Sequence, residues 1–233
     1  MNHSPAFIVR SVVVMVLTLF PALTFGTEPV SYDDPLESWN RRVFKLNDTL
    51  DHYALKPVAK TYHFVTPGPV QTLVSNFFSN LGELRNIASA GIQLKGQDAL
   101  VSSGRFIINS TAGILGLIDV ATPMGLDKRY SDFGLAFANW GVPSGPYLVL
   151  PLLGPSTFRS GVGRIPDAFT NPVAYHDSER DRWILDGIDL INRRAQFLDA
   201  EELILGDRYT FIRDTYLQRR EYLITGQLPE DDF

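Results

Sequence analysis

The segment FGLAFANWGVPSGPYLVLPLLGPSTF, from Phe133 to Phe158, decides the fold. It runs for 26 residues without a formal charge between Asp132 and Arg159. About 20 apolar residues in a helix are enough to cross a bilayer. This segment cannot form one helix, because its four prolines remove backbone donors and its four glycines loosen the backbone. Broken backbone at membrane depth must be covered by protein or line a cavity, so we expect surrounding helices to shelter it.

A second uncharged run, Phe106 to Ile118, precedes the first and carries Gly113 and Gly116. The alternative is that both runs form the buried core of an ordinary soluble domain. Apolar content is ordinary at 45%, so composition alone leaves both interpretations open.

The clearest helix follows the turn at 66–69. Its apolar residues recur at i, i+3, i+4, i+7, i+8 and i+11, which places them on one face. The opposite face carries amides and hydroxyls instead of charges, which indicates a helix that touches water on one side only. The apolar face supplies our membrane-interface candidates: Val70, Leu73, Val74, Phe77, Phe78 and Leu81.

Other helices follow from caps and periodicity. Asp34 is predicted to cap the first helix, with Glu37 completing a capping box. Asp132 and Asp207 are the predicted caps of two later helices. A helix over 97–112 is expected to turn these apolar residues inward: Leu100, Val101, Phe106, Ile107 and Ile108. With no repeat, no coiled coil and no series of alternating strands, the sequence predicts an all-α fold.

The N-terminus has the three-part pattern of a secretory signal peptide, predicted over residues 1–26 with Thr27 as the first mature residue. An uncleaved N-terminal anchor is the alternative. We expect one helical domain over 27–226 and an acidic tail over 227–233. The chain has no cysteine, so we expect neither disulfides nor lipidation on cysteine, and packing or a partner must hold the exported protein.

Nothing in the sequence predicts catalysis. The net charge of −5 argues against a nucleic-acid partner. The four histidines have no metal-ligand spacing, and the stretch 141–145 misses the G-x-S-x-G elbow by one residue. Phosphate-binding glycine motifs are absent from the sequence. We therefore expect no enzyme activity, no metal and no cofactor.

Several blocks of sequence resemble the MlaA/VacJ family of outer-membrane phospholipid-transport lipoproteins, over roughly 33–226. The blocks are Asp34-Pro35-Leu36-Glu37-(x)2-Asn40-Arg41; Pro57-Val58-Ala59; Asn76-Phe77-(x)2-Asn80-Leu81; Arg105-Phe106-(x)2-Asn109-Ser110-Thr111-Ala112-Gly113-(x)2-Gly116-(x)2-Asp119; Asp132-Phe133-Gly134; Gly141-Val142-(x)2-Gly145-Pro146-Tyr147-(x)3-Pro151-(x)2-Gly154-Pro155-Ser156; and Tyr216-(x)2-Arg219-Arg220.

The resemblance implies a ring-like bundle of amphipathic helices lying in the membrane interface around a central channel. It places the protein at the periplasmic leaflet of the outer membrane of a Gram-negative bacterium. There it would remove phospholipid misplaced in the outer leaflet and pass it to a periplasmic shuttle protein that feeds an inner-membrane ABC transporter. The resemblance also implies association with a trimeric porin and no covalent chemistry.

This sequence departs from the family pattern at one point. Family members usually carry a lipobox cysteine, and this chain has none. We therefore expect membrane retention to rest on the amphipathic helices and on porin contact.

A phospholipid needs an apolar groove for two tails and a polar lane for its head group. For each candidate in the groove, plain core packing is the alternative. As alternative functions, a soluble periplasmic scaffold needs only that core, whereas an envelope lipid hydrolase needs a nucleophile and a base. The lipid-channel candidates are Phe133, Phe137, Trp140, Tyr147, Leu148, Leu150, Leu152 and Leu153.

Overall fold

The computed structural model describes residues 34–204 and 206–227. This part of the chain is mostly helical, which confirms the predicted all-α class, and it also contains a two-stranded antiparallel hairpin. The predicted signal peptide and all but the first residue of the predicted tail lie outside the described residues. The helices are α1 (Glu37–Leu50), α2 (Lys56–Val65), α3 (Gly68–Ile92), α4 (Gly96–Thr111), α5 (Phe133–Asn139), α6 (Phe158–Phe169), α7 (Glu179–Gln196) and α8 (Arg208–Thr225), and the strands are β1 (Tyr147–Leu150) and β2 (Gly154–Thr157).

Short turns complete this architecture. A π-helical turn, Asp51–Leu55, joins α1 to α2, and 3-10 turns occupy Pro172–Tyr175 and Ala200–Leu203. α3 and α4 form an antiparallel helical pair, and α2 packs on α7. The hairpin lies between α5 and α6, so the uncharged segment supplies α5, both strands and the turns between them.

Aspartate side chains cap two helices: α5, at the start of the uncharged segment, and α8, at the C-terminal end of the described chain. Asp132 accepts a hydrogen bond from the Leu135 N–H at 2.7 Å at the start of α5. Asp207 accepts one from the Tyr209 N–H at 3.2 Å at the start of α8. These hydrogen bonds confirm both predicted caps. A short carboxylate side chain on extended backbone satisfies a helix N–H that would otherwise have no partner.

The predicted capping role of Asp34 is wrong. α1 begins at Glu37, and Leu36 occupies the cap position without a side-chain hydrogen bond. Asp34 Oδ1 instead accepts from the Leu36 N–H at 3.0 Å and from the Asn40 amide at 2.9 Å. Its other oxygen accepts from the Tyr209 hydroxyl. Asp34 therefore ties the start of α1 to α8.

Two asparagines of α1, one heptad apart, bind the free edge of the hairpin. The Asn40 amide donates to the Tyr147 carbonyl at 3.0 Å, and its Oδ1 accepts from the Val149 N–H at 2.9 Å. The Asn47 amide likewise donates to the Leu150 carbonyl at 3.0 Å, and its Oδ1 accepts from the Leu152 N–H at 2.8 Å. These side chains replace a third strand and keep the strand backbone from being left unpaired.

A close approach of backbones joins α5 to α6. A Cβ added at Gly163 would lie 2.4 Å from the Gly134 nitrogen, and one added at Gly134 would lie 2.8 Å from the Arg220 guanidinium. Only glycine fits at position 163, because the atoms that its Cβ would meet belong to the backbone of Phe133 and Gly134. The start of the uncharged segment is therefore held directly against α6.

Polarity in the described part of the chain is inverted relative to a soluble domain. Buried positions there include 17 polar or charged residues and 13 apolar ones, while 33 large apolar residues are exposed. Buried polar groups in such numbers are the informative departure, because most polar residues of soluble proteins lie at the surface. None of the described helices combines the length and the apolarity needed to cross a membrane.

The inversion corrects two sequence-based expectations. On α4, the predicted inward face is wrong at Leu100 and Ile107, which are 75% and 60% exposed. On α3, the polar face was expected to touch water, yet Asn80 on that face is buried and only Thr72 is exposed. Periodicity located both stripes, but Leu100 and Ile107 of the α4 stripe face outward and Asn80 of the α3 stripe faces inward.

Candidate functional site

The uncharged segment folds back on itself within a short distance. After α5, Gly141 and Gly145 adopt positive φ angles of 82° and 66°, and β1 and β2 then pair across a turn at 151–153. A Cβ at Gly145 would lie 2.8 Å from the Phe158 Cβ, so the two ends of this loop are in close contact. The hairpin confirms the prediction that this segment does not form one helix.

The eight lipid-channel candidates fall into three environments. Tyr147 is 4% exposed and packs with Val43, Tyr209 and Leu217, which is the core-packing alternative. Trp140 is exposed beside the loop. Leu152 and Leu153 project from the hairpin turn and are 77% and 60% exposed. The remaining candidates are partly buried: Phe133, Phe137, Leu148 and Leu150.

The membrane-interface candidates on α3 are graded in exposure. Val70 is exposed at the start of the helix, and Phe78 is buried near its middle. Phe77 and Phe78 pack edge to face with ring centroids 5.2 Å apart. The other candidates, Leu73, Val74 and Leu81, are partly buried. This face of α3 is therefore exposed at its N-terminal end and covered towards the helix middle.

A buried polar network fills the space between α3 and α4. Arg105 Nε donates to Glu83 Oε1 at 2.9 Å, and their side chains are 3% and 1% exposed. The same guanidinium donates to Asp119 at 3.0 Å and to the Thr122 hydroxyl at 2.9 Å. Burial would raise the pKa of Asp119, but the hydrogen bonds from Thr122, Arg105 and Asn109 outweigh burial and lower it to about 2. The network is therefore charged, and its buried arginine is paired with carboxylates.

A void of about 10 Å³ lies inside this network. Asn80 lines it, and its buried Oδ1 has no partner in the described part of the chain. Such a volume is close to the smallest that holds one water molecule.

A second buried network fixes the start of the uncharged segment. Arg220 on α8 binds Asp132 through both guanidinium nitrogens, with the longer contact at 3.1 Å. Ser89 on α3 donates to the Asp132 carbonyl at 2.6 Å, and the Asn86 side chain accepts from the Ser131 N–H at 3.1 Å. α3 and α8 are thereby joined through one short loop.

Two carboxylates beside this loop have opposite pKa shifts. Burial would raise the pKa of Asp132, but the hydrogen bonds from Arg220 and from the Leu135 N–H lower it below its ordinary value. Burial raises the pKa of Asp167 to about 6, although the Phe133 N–H donates to it at 3.0 Å. The loop thus carries a firm ion pair and, next to it, a carboxyl that is easily protonated.

The sequence blocks contained several of these residues without showing their role. Arg105, Asp119, Asp132 and Arg220 all belong to the quoted blocks. Their partners lie far away along the chain: 88 residues separate Asp132 from Arg220. Sequence spacing did not predict these ion pairs. Nothing in the sequence indicated that Glu83 would be buried in one of them.

An open groove of about 410 Å³ lies along α8, apart from these networks. It is lined by Asp207, Thr210, Phe211, Asp214, Thr215 and Gln218. None of these residues belongs to the uncharged segment, so the groove is not the space predicted for lipid tails.

Together, a polar interior, an apolar exterior and a broken uncharged segment define a helical protein built to contact an apolar phase. Comparison with known proteins supports this class and gives the family. The chain belongs to the MlaA lipoprotein family, whose model matches residues 32–223.

Relatives and a solved structure agree with this membership. The Escherichia coli intermembrane phospholipid transport system lipoprotein MlaA is 32% identical over 209 residues, which cover 86% of this chain and 82% of that protein. The Haemophilus influenzae protein of the same name is 29% identical, covering 85% and 82%. A Rickettsia prowazekii protein is 34% identical, covering 85% and 80%. A solved structure described as "Structural basis for maintenance of bacterial outer membrane lipid asymmetry" aligns with a TM-score of 0.70 and 32% identity, covering 82% of this chain and 99% of the other.

Proposed function

We propose that this protein transports phospholipid without covalent chemistry, at the periplasmic leaflet of the outer membrane. It takes misplaced phospholipid from the outer leaflet and passes it to a periplasmic carrier. Family membership supports the substrate class, because relatives are named for an intermembrane phospholipid transport system. The observation that carries the proposal is the inverted polarity of the described chain.

The outer face of α4 is the clearest membrane-contacting surface. We define the α4 ridge as Leu100 and Ile107 on the helix together with Leu94 in the turn before it; they are 75%, 60% and 91% exposed. Exposed hydroxyls on α4 are satisfied within the helix, as in Thr111, which donates to the Ile107 carbonyl at 2.7 Å. A helix of 16 residues is about 24 Å long. Such a ridge suits the boundary between head groups and acyl chains.

Backbone conformation at exposed aliphatic residues supports membrane contact independently. The non-glycine residues with positive φ in the described chain are Leu94, Ile114, Leu115 and Leu152, all exposed. Left-handed backbone costs an ordinary L-residue about 1–2 kcal/mol, and turns of this kind normally take glycine or asparagine. Burial of these aliphatic side chains in lipid would offset the conformational cost of the left-handed backbone, which explains why they are not glycine or asparagine.

Polar side chains lie close to the uncharged segment. They follow the buried face of α3 from Asn80 through Glu83 and Asn86 to Ser89. The uncharged segment begins beside them, where Ser89 binds the Asp132 carbonyl. In this proposal the partly buried and exposed channel candidates contact the lipid tails, and the head group lies towards the polar side of the segment. Apolar and polar groups so close together match the two halves of a phospholipid.

The proposal includes partners that receive or position the lipid. A periplasmic shuttle protein feeding an inner-membrane ABC transporter takes the phospholipid onward. A trimeric outer-membrane porin holds the protein in place in addition to the α4 ridge. The exposed apolar residues of the described chain are the surface that we propose for lipid and porin contact.

Deletion of the gene tests the function. Surface-exposed phospholipid and detergent sensitivity should rise and should return to normal when the intact gene is restored. Membranes should retain the protein through a salt wash, and mass spectrometry should find phospholipid bound to the purified protein. An unchanged outer leaflet in the deletion strain contradicts transport. Release of fatty acid from phospholipid by the purified protein contradicts a function without catalysis.

A further inference from the structure

Two arginines from distant parts of the sequence lie over the Tyr130 ring, and a lysine lies close to the tyrosine in sequence. The Arg85 guanidinium carbon, from α3, lies 5.1 Å from the centre of the tyrosine ring. The Arg219 guanidinium carbon, from α8, lies 5.5 Å from the same centre. Lys128 is two residues before the tyrosine, and its ammonium donates to the Ser79 hydroxyl on α3. We call Arg85, Lys128 and Arg219 the Tyr130 cations.

The charges of Arg85 and Arg219 are not neutralised by carboxylates. Within residues 34–204 and 206–227, neither guanidinium makes an ion pair or a side-chain hydrogen bond, and Arg85 Nε is buried without a partner. Elsewhere in the interior, Arg105 and Arg220 bind carboxylates at hydrogen-bonding distance. A buried charged donor without an acceptor is costly, and two guanidinium groups beside one ring also repel each other. The tyrosine face offsets only part of that cost.

The surroundings leave an excess of positive charge. Asp132 also lies beside Tyr130, but it is bound to Arg220. Lys128 is exposed, yet surrounding protein lowers its pKa, and the charges of Arg105 and Arg85 lower it further while Glu83 opposes them. Lys128 and Arg219 are exposed, so a ligand can reach them, and neither pairs with a carboxylate in the described part of the chain.

We infer that the Tyr130 cations bind the phosphodiester of a phospholipid head group. Guanidinium groups bind phosphate oxygens through pairs of parallel N–H donors, and a lysine adds a point charge. The inference rests on the proposed transport function and adds a substrate-binding site to it. Its position agrees with this role, because Tyr130 is three residues before Phe133. A lipid held there by its phosphate has its tails next to the start of the uncharged segment.

Binding of two matched lipids to the full-length protein in detergent tests the inference. Phosphatidylglycerol differs from diacylglycerol with the same acyl chains by its phosphoglycerol head group, which carries the phosphodiester. The wild-type protein should bind phosphatidylglycerol about tenfold more tightly or better. Arg219→Gln should remove about tenfold of that affinity and leave diacylglycerol binding unchanged. Arg219 is exposed, so this variant should fold, and circular dichroism verifies it.

Two further variants serve as controls. Arg85→Lys keeps the charge and should retain most of the preference, whereas Arg85→Gln should lose it. Arg42→Gln removes an exposed positive charge from α1, and it should bind both lipids like the wild type. This control separates the local site from the net charge of the protein.

The outcomes distinguish failure of this site from failure of the proposed function. Equal binding of both lipids, unaffected by Arg219→Gln, overturns the phosphate site and leaves lipid transport standing. Failure to bind either lipid overturns both. Millimolar inorganic phosphate should compete only weakly with phosphatidylglycerol. If inorganic phosphate alone binds as tightly as the lipid, the site takes a free anion and the inference is wrong.

Discussion

Polar substitution of the α4 ridge should release the protein from lipid without unfolding it. The variant carries Leu94→Asn, Leu100→Asn and Ile107→Asn together. Complete burial of such a side chain contributes about 1.5–3 kcal/mol. Scaled by exposed fractions of 91%, 75% and 60%, the three side chains together contribute about 3–7 kcal/mol to membrane binding. Because about 1.4 kcal/mol is a factor of ten, the partition coefficient should fall by at least about a hundredfold.

Sedimentation with extruded phospholipid vesicles measures this change. The protein in the pellet is quantified over a range of lipid concentrations, for the wild type and for each variant. Leu190→Asn on α7 is the matched control, because Leu190 is 53% exposed and lies next to the solvent-facing ion pair of Asp189 and Arg193. It should partition like the wild type. Equal partitioning of the triple variant and the wild type refutes membrane contact through α4.

Three more perturbations have definite expected results in detergent solution. Leu115 has a φ of 57°, which asparagine tolerates better than leucine. Leu115→Asn should therefore raise the free energy of unfolding by about 1 kcal/mol and weaken vesicle binding. A variant less stable than the wild type contradicts the strain argument. Arg105→Met leaves the buried Glu83 carboxylate without its cation and should lower the free energy of unfolding by denaturant by about 3–5 kcal/mol. Arg193→Gln breaks an exposed ion pair and should lower it by only ~0–1 kcal/mol. Equal losses of stability contradict the buried network. Burial raises the pKa of Asp167 from 3.8 to about 6, so its stabilising contribution is complete below pH 3.8 and is lost as the pH rises through 6. Asp167→Asn should therefore match the wild type in melting temperature near pH 4. At pH 8 it should melt at a higher temperature, with a free energy of unfolding larger by up to ~3 kcal/mol. A difference in stability that does not depend on pH contradicts this account.

Local sequence signals predicted local structure well. The caps at Asp132 and Asp207 were predictable because a short side chain and its own helix backbone decide them. The break after α5 was predictable because proline and glycine act through the chain itself. Asp34 shows the limit: its hydrogen bonds to Asn40 and Tyr209 depend on packing between distant elements.

The direction in which a helix face points was not predictable from periodicity. The same spacing that marks a buried stripe in a soluble protein marks a lipid-facing stripe at a membrane, so Leu100 and Ile107 were assigned inward. The candidate phosphate site was also not predictable, because residues 85 and 219 lie far apart in the sequence. Only tertiary structure brings these two arginines to one tyrosine ring.

Environment-sensitive labelling tests the central claim most directly, and the absence of native cysteines makes it straightforward. Single cysteines at Leu100, Ile107 and Leu190 would each carry a fluorophore, and vesicles with brominated acyl chains would report contact with hydrocarbon. The account predicts blue-shifted, quenched emission at Leu100 and Ile107 and water-like emission at Leu190. Water-like emission at all three positions would contradict an apolar exterior embedded in lipid.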